Sequence, residues 1–121
     1  MKPTVTALLF LLLAACASPR PGPDVVASAE QAVAAAEQAG GDEFAPTEMR
    51  FAREKLKSAK LGLENKKYEV ALYLLEESEI NSELAIEKSR AAKVRRQVNE
   101  LRKSNEELLA DMRSTFGDDF K

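Results

Sequence analysis

The side chain best suited to covalent chemistry in this sequence is Cys16, the one cysteine of the chain. Its sulfur becomes a nucleophile when the thiol loses its proton. Cys16 follows an uncharged run from Val5 to Ala15, which itself follows the positive charge of Lys2. A charged start, an apolar run of this length and small residues at a cleavage point are typical of a secretory signal peptide, and the run is too short to span a bilayer. We therefore predict that residues 1–15 are a signal peptide.

The three residues before the cysteine, Leu13, Ala14 and Ala15, complete a four-residue pattern that closely resembles a bacterial lipobox. The resemblance implies that Cys16 receives diacylglycerol through a thioether, that signal peptidase II cuts before it, and that the freed amine is acylated. Two or three acyl chains hold a protein firmly on a membrane. Because Ala17 and not an aspartate follows Cys16, the usual sorting rule implies the periplasmic face of the bacterial outer membrane. The alternative is an ordinary secretory signal with a chance cysteine.

The composition argues against most enzyme classes. The 121-residue chain has no histidine and a net charge of −2, so Ser-His-Asp and Cys-His catalytic arrangements are absent and the commonest metal ligand is missing. It has no tryptophan and 6% aromatic residues, which leaves few rings to stack on bases and weighs against nucleic acid as a partner. We expect no enzymatic activity, no catalytic residues, no bound metal and no cofactor.

The rest of the sequence predicts an all-α fold. Residues 17–23 contain three prolines and a glycine, so residues 16–23 are expected to form the lipidated cysteine and an extended linker. Helical periodicity follows over residues 24–92, with Asp24 as the expected N-cap, a turn at 41–44 and Pro46 starting the second helix. Residues 93–116 are predicted to continue the last helix as a coiled-coil extension and 117–121 to form a flexible tail. The fold class is a short antiparallel helical hairpin or a three-helix bundle with a long C-terminal helix extending as a coiled coil.

Charge favours a chain reversal at residues 64–67. Residues 46–67 carry seven basic and three acidic side chains, whereas residues 69–87 carry six glutamates and no basic residue. Folding back places opposite charges together, which selects the register more than it adds stability. The competing prediction is one unbroken helix over 46–116, forming a parallel dimer, because a 3-4 apolar spacing continues in phase from Met49 to Met112.

A stripe on the last helix predicts an interface with a partner. In the folded-back arrangement the bundle covers this helix only to about residue 87, and a lone helix with an apolar stripe is marginal in water. The partner is expected to be a second copy or another envelope protein; the alternative is that this segment frays or folds back on the bundle. The predicted interface residues are Val94, Val98, Leu101, Asn105, Leu108 and Met112.

Two further sets of charged residues offer weaker hypotheses. The basic residues Arg90, Lys93, Arg95 and Arg96 are candidates for contact with a polyanion such as anionic lipid, although such a run is more often a solvated helix face. The sequence ends in Lys121, and murein lipoproteins attach to peptidoglycan through a C-terminal lysine amine. A cell-wall tether through Lys121 is therefore the alternative function.

Several short spacings also resemble a known family. Ala45-Pro46-x-Glu48, Leu56-x-x-Ala59 and Tyr68-x-x-Ala71, followed by a Glu/Ala/Ser-rich helix to Ala92, are similar to domain-of-unknown-function family 4398. The resemblance covers about residues 24–110. It implies a small helical lipoprotein of a Gram-negative envelope, a family in which some members carry an added peptidoglycan-binding domain of OmpA type. It implies no catalytic residues.

Overall fold

The structure is a computed structural model that describes residues 21–117. These residues form helices α1 (Pro23–Gln38), α2 (Gly41–Phe44), α3 (Pro46–Glu64) and α4 (Tyr68–Phe116). Helices α1 and α3 pack on the first part of α4, and α4 then continues alone. The predicted all-α class is confirmed, with a three-helix bundle and a long C-terminal helix. Cys16, the three residues before it and Lys121 lie outside the described residues.

Proline and glycine set the ends of the first helices. α1 has Pro23 in its first turn and Gly22 as N-cap, so the predicted N-cap Asp24 is wrong, because proline needs no amide partner there and starts the helix two residues earlier. Gly40 has φ of 87°, a left-handed conformation that glycine adopts without steric cost. Residues 41–44, predicted as a turn, form the single helical turn α2, and Pro46 begins α3 as predicted.

The chain reverses between α3 and α4 at residues 65–67, so the competing prediction of one unbroken helix over 46–116 is wrong. Lys66 adopts the left-handed conformation, with φ of 59°, although asparagine is the side chain that favours this conformation at a helix end. The Asn65 side-chain amide instead donates a 2.7 Å hydrogen bond to the Leu61 carbonyl, and this bond holds Asn65 near the helical region. The Lys67 amide then donates to the Gly62 carbonyl at 2.8 Å and closes the turn.

The core of the bundle is built mainly from small side chains. On α3 the buried residues are Met49, Ala52, Ala59 and Gly62. Close helix approach follows from the small residues: a Cβ atom placed on Gly62 would lie 3.2 Å from the Ala71 Cβ. The buried face of α4, called here the inner face, consists of Ala71, Leu75, Ser78, Ser82, Ala85 and Ser89.

Three buried serines on the inner face have hydrogen-bond partners. Ser78 Oγ donates to the Ala52 carbonyl of α3 at 2.8 Å. Ser82 and Ser89 donate to carbonyls one turn earlier in α4, at 2.8 and 2.7 Å. Across residues 21–117, every buried side-chain nitrogen or oxygen has a partner, so polar burial here leaves no uncompensated group.

Ion pairs join the helices in an arrangement that differs from the predicted one. Lys55 of α3 pairs with Glu77 of α4 at 2.5 Å, which is the expected sense. Arg53, however, turns to the other side and binds Glu37 and Asp42, each at 2.7 Å. The acidic face of α4 is therefore only partly covered by basic α3, because α1 and α2 supply competing carboxylates.

The bundle reaches further along α4 than predicted. Lys88 pairs with Glu48, the Lys93 amine donates to the Ala39 carbonyl at 2.7 Å, and Arg96 lies 3.3 Å from Glu43. The expectation that α4 loses its cis partners after about residue 87 is wrong. The turn at Gly40 together with α2 extends the bundle and reaches α4 at residues 93–96.

Candidate interaction surface on the long helix

An apolar stripe runs along α4 on the side away from the bundle. Its positions repeat at alternating intervals of three and four residues, the spacing that keeps side chains on one face of a helix. We call this stripe the outer face. It consists of Val70, Tyr73, Glu77, Ile80, Leu84, Glu87, Ala91, Val94, Val98, Leu101, Asn105, Leu108 and Met112.

The large apolar side chains of the outer face are exposed to solvent. Tyr73 is 60% exposed, Leu84 44% and Leu101 65%, and Val70, Ile80 and Val94 fall in the same range. The face extends over ~63 Å of helix. Isolated exposed apolar residues are ordinary, whereas many of them along one helix face are typical of an interaction site.

The structure brings all six predicted interface residues together on the outer face. Val94, Val98, Leu101 and Leu108 are exposed large hydrophobic residues, Asn105 is exposed and Met112 is half-buried. Within residues 21–117, no other helix covers this side of α4. The predicted grouping therefore follows from the 3-4 spacing on an uninterrupted helix.

Sequence reasoning missed the N-terminal half of this surface. A segment that is apolar nearly all round, such as residues 68–75, is typical of a helix with neighbours on two sides. Val70, Leu72 and Tyr73 are instead exposed, because α1 and α3 pack on one side of α4. The 3-4 spacing of positions 70, 73, 77 and 80 could have indicated this part of the outer face. The spacing reflects a face that no helix of residues 21–117 covers, and not one unbroken helix over 46–116.

The two glutamates of the outer face have basic neighbours. Glu77 accepts a 2.5 Å hydrogen bond from Lys55, and this bond lowers the Glu77 pKa and raises the pKa of Lys55. A hydrogen bond to Glu77 raises the pKa of Tyr73 above its usual value. Glu87 lies 2.5 Å from Arg90 one turn later. These polar positions interrupt the apolar strip, but their charges are matched.

Beyond the bundle, α4 continues as a helical arm, defined as residues 97–116. From residue 97 to residue 115, no hydrogen bond or ion pair joins the arm to another helix of the described chain; Lys103 and Glu107, for example, pair within it at 3.7 Å. The arm spans ~30 Å. Its apolar side chains face solvent without support from the bundle.

The four basic residues predicted to contact a polyanion fall into three groups. Lys93 and Arg96 hold the end of the bundle, lying 5.8 and 5.4 Å from the Phe44 ring centre in addition to their bonds to Ala39 and Glu43. Arg90 pairs with Glu87. Arg95 makes no ion pair with the described residues. Polyanion binding stays a prediction, and fewer of these basic side chains are free to contact a polyanion than the sequence indicated.

Two other kinds of site are absent from residues 21–117. No group of three or more cysteine, aspartate or glutamate side chains there is arranged to hold a metal ion. Within the same range, no helix combines the length and apolar character needed to cross a membrane.

The fold and its exposed stripe define a small all-α bundle from which one helix projects. Residues 24–101 match the family described as a domain of unknown function, DUF4398. The chain belongs to this family, which confirms the resemblance inferred from its sequence. The match covers all three helices of the bundle and the start of the arm. Comparisons with curated proteins and with solved structures returned no significant match.

Proposed function

We propose that this protein is a lipid-anchored outer-membrane lipoprotein, facing the periplasm, that acts as a non-enzymatic helical scaffold or adaptor for envelope proteins. In this role the bundle is the body of the molecule. The outer face of α4 is the surface that a second protein chain covers. The proposal combines an anchor read from the sequence with a binding surface read from the structure.

One observation carries the scaffold role: a helix of 49 residues presents exposed large apolar side chains on its outer face from Val70 to Leu108. Burial of such side chains is the main favourable contribution to protein association. Among the described residues, the polar groups of the buried face are all satisfied within the chain. What remains exposed is therefore apolar surface, and a protein partner can bury a surface of this length better than a small ligand can.

The lipid anchor is supported by the pattern Leu13-Ala14-Ala15-Cys16 after an uncharged run. Palmitate labelling of cells that express the chain is expected to label it, and Cys16→Ser is expected to abolish the label. Ala17→Asp serves as a second variant, since it should leave lipidation intact but change the sorting from the outer to the inner membrane. Labelling that persists in Cys16→Ser would contradict the proposed anchor.

The scaffold role is tested by photocrosslinking in intact envelopes. A photoreactive residue at Val98 or Leu101 is expected to trap a defined protein band. The matched control is Lys103, which is exposed on the opposite side of the arm and pairs with Glu107. Equal crosslinking from Lys103 and Leu101, or none from either outer-face position, would contradict binding through the outer face.

A further inference from the structure

We propose that the chain covering the outer face is a second copy of the same protein, with the two α4 helices antiparallel. This inference rests on the proposed function, because it names the partner of the same surface. It goes further by fixing the direction of the partner helix and the residues that meet.

The length of the outer face defines the kind of partner required. The strip continues from the bundle into the arm over ~63 Å without a break in the helix. A partner that covers it must present an apolar strip of similar length and the same 3-4 spacing. The 49-residue α4 of a second copy has both properties.

One antiparallel register pairs every outer-face position from Val70 to Leu108. In this register the two-fold axis lies at the level of Ser89. The bulky layers are Val70 opposite Leu108, Ile80 opposite Val98, and Leu84 opposite Val94 of the second copy, and each layer occurs twice by symmetry. The exposed apolar residues of the bundle half therefore meet those of the arm.

The polar positions of the outer face find complementary partners in the same register. Tyr73 lies opposite Asn105 of the second copy, where a hydroxyl and an amide can hydrogen-bond. Glu77 lies opposite Leu101, beside Arg102, and Glu87 lies opposite Ala91, beside Arg90. Each outer-face glutamate thus gains an arginine from the second copy, and this match selects the register more than it adds affinity.

A parallel dimer in register gives the opposite electrostatic result. It places Glu77 against Glu77 and Glu87 against Glu87 of the second copy within the apolar strip, where like charges are costly. It also sets residues 69–87, with six glutamates and no basic residue, against themselves. Asn105 would face its own copy, which parallel coiled coils tolerate, but this one favourable layer stands against two repulsive ones.

Disulfide mapping tests the register. The full chain with Cys16→Ser, purified in detergent, receives Leu84→Cys and Val94→Cys together or singly. Within one chain these positions are ten residues apart, ~15 Å along the helix, too far for a disulfide. On oxidation the double variant is expected to form a covalent dimer with at least tenfold higher yield than either single variant.

The possible results separate the alternatives. Efficient dimer formation by Leu84→Cys alone would indicate a parallel helix pair and overturn the antiparallel register. Absence of dimer in the double variant, with helical circular dichroism unchanged from the Cys16→Ser parent, would also overturn it. If Leu101 still crosslinks to a different protein in envelopes, the scaffold function stands although self-association fails.

Sedimentation of the Cys16→Ser parent in detergent tests self-association without introduced cysteines. We expect a protein mass of two chains, and Ile80→Glu is expected to weaken association by at least tenfold because it places a charge in a buried layer. Lys103→Glu, on the opposite side of the arm, is the matched control and should leave association nearly unchanged. A one-chain mass for the parent at every concentration would overturn the proposal.

Discussion

On the inner face of α4 small side chains are buried, whereas on the outer face large apolar side chains are exposed. The inner face is fully buried, yet it is made largely of alanine and serine, with Leu75 as its large apolar side chain. The outer face carries valine, isoleucine, leucine and tyrosine, and these are exposed. Small residues on the inner face let α3 approach closely, as at Gly62 and Ala71. On these two faces, small side chains lie where the helix already packs within its own chain. Large exposed apolar side chains lie where we expect a contact with another chain.

The largest difference in the free energy of unfolding is expected when one leucine on each face is replaced by alanine. Leu75 is 1% exposed and Leu84 is 44% exposed. Leu75→Ala should lower the free energy of unfolding by ~2–5 kcal/mol, because it removes a buried side chain and leaves a cavity. Leu84→Ala should change it by less than ~0.5 kcal/mol when the protein is dilute enough to be monomeric. Urea unfolding followed by circular dichroism measures both, and equal losses would break the distinction between the faces.

A smaller effect is expected from adding bulk to an alanine on each face. Ala85 is fully buried against α1 and α3, beside Val33 and Met49, so Ala85→Leu should destabilise the bundle by ~1–3 kcal/mol through overpacking. Ala91 lies on the outer face and is exposed. Ala91→Leu should leave the monomer's unfolding midpoint nearly unchanged and strengthen association in sedimentation experiments. Similar destabilisation by both substitutions would show that the outer face is already packed in the monomer.

The smallest effect on stability is expected from a change of pH, which acts through the ion pairs at the edges of the bundle. Hydrogen bonds from Arg53, Lys88 and Lys55 hold the pKa values of Asp42, Glu48 and Glu77 below their usual values. A carboxyl group whose pKa is lower in the folded state contributes its full stability above the unfolded-state pKa and loses it as pH falls through the folded-state pKa. The urea midpoint should therefore be constant near neutral pH and fall below about pH 4.

Lys55→Met supplies the control for this pH dependence. It removes the hydrogen bond that lowers the Glu77 pKa, so the midpoint should fall less steeply between neutral and acidic pH than in the parent chain. A midpoint that rises on acidification would contradict the sign of the expected dependence.

Much of the fold could be predicted from the sequence because proline and a change of charge mark where its helices begin and end. Pro46 marks the start of a helix, and the change from basic to acidic side chains around residue 67 marks the reversal of the chain. The extent of the bundle could not be predicted, because it depends on how Gly40 and the single turn α2 bring Glu43 to Arg96. That contact joins residues 53 positions apart and leaves no local trace in the sequence.

The inner face could not be predicted for a different reason. Ser78, Ser82 and Ser89 are fully buried, although serine is an ordinary surface residue. Hydropathy patterns assign the core to large apolar residues, yet Val70, Tyr73 and Ile80 on the same helix are exposed. The predicted residues from Val94 to Met112 share one face of α4, as their 3-4 spacing requires, and their role as an interface stays a prediction.

The continuity of α4 also has a mechanical consequence. From Tyr68 to Phe116 the helix contains neither glycine nor proline, the residues at which helices most often kink. The arm and the inner face are therefore parts of one rod with no hinge between them. Tension or torque applied near Met112 would pass directly to the contacts of Ser78 and Ala85 with α3 and α1, so a load on the tip would bear on the packing of the bundle.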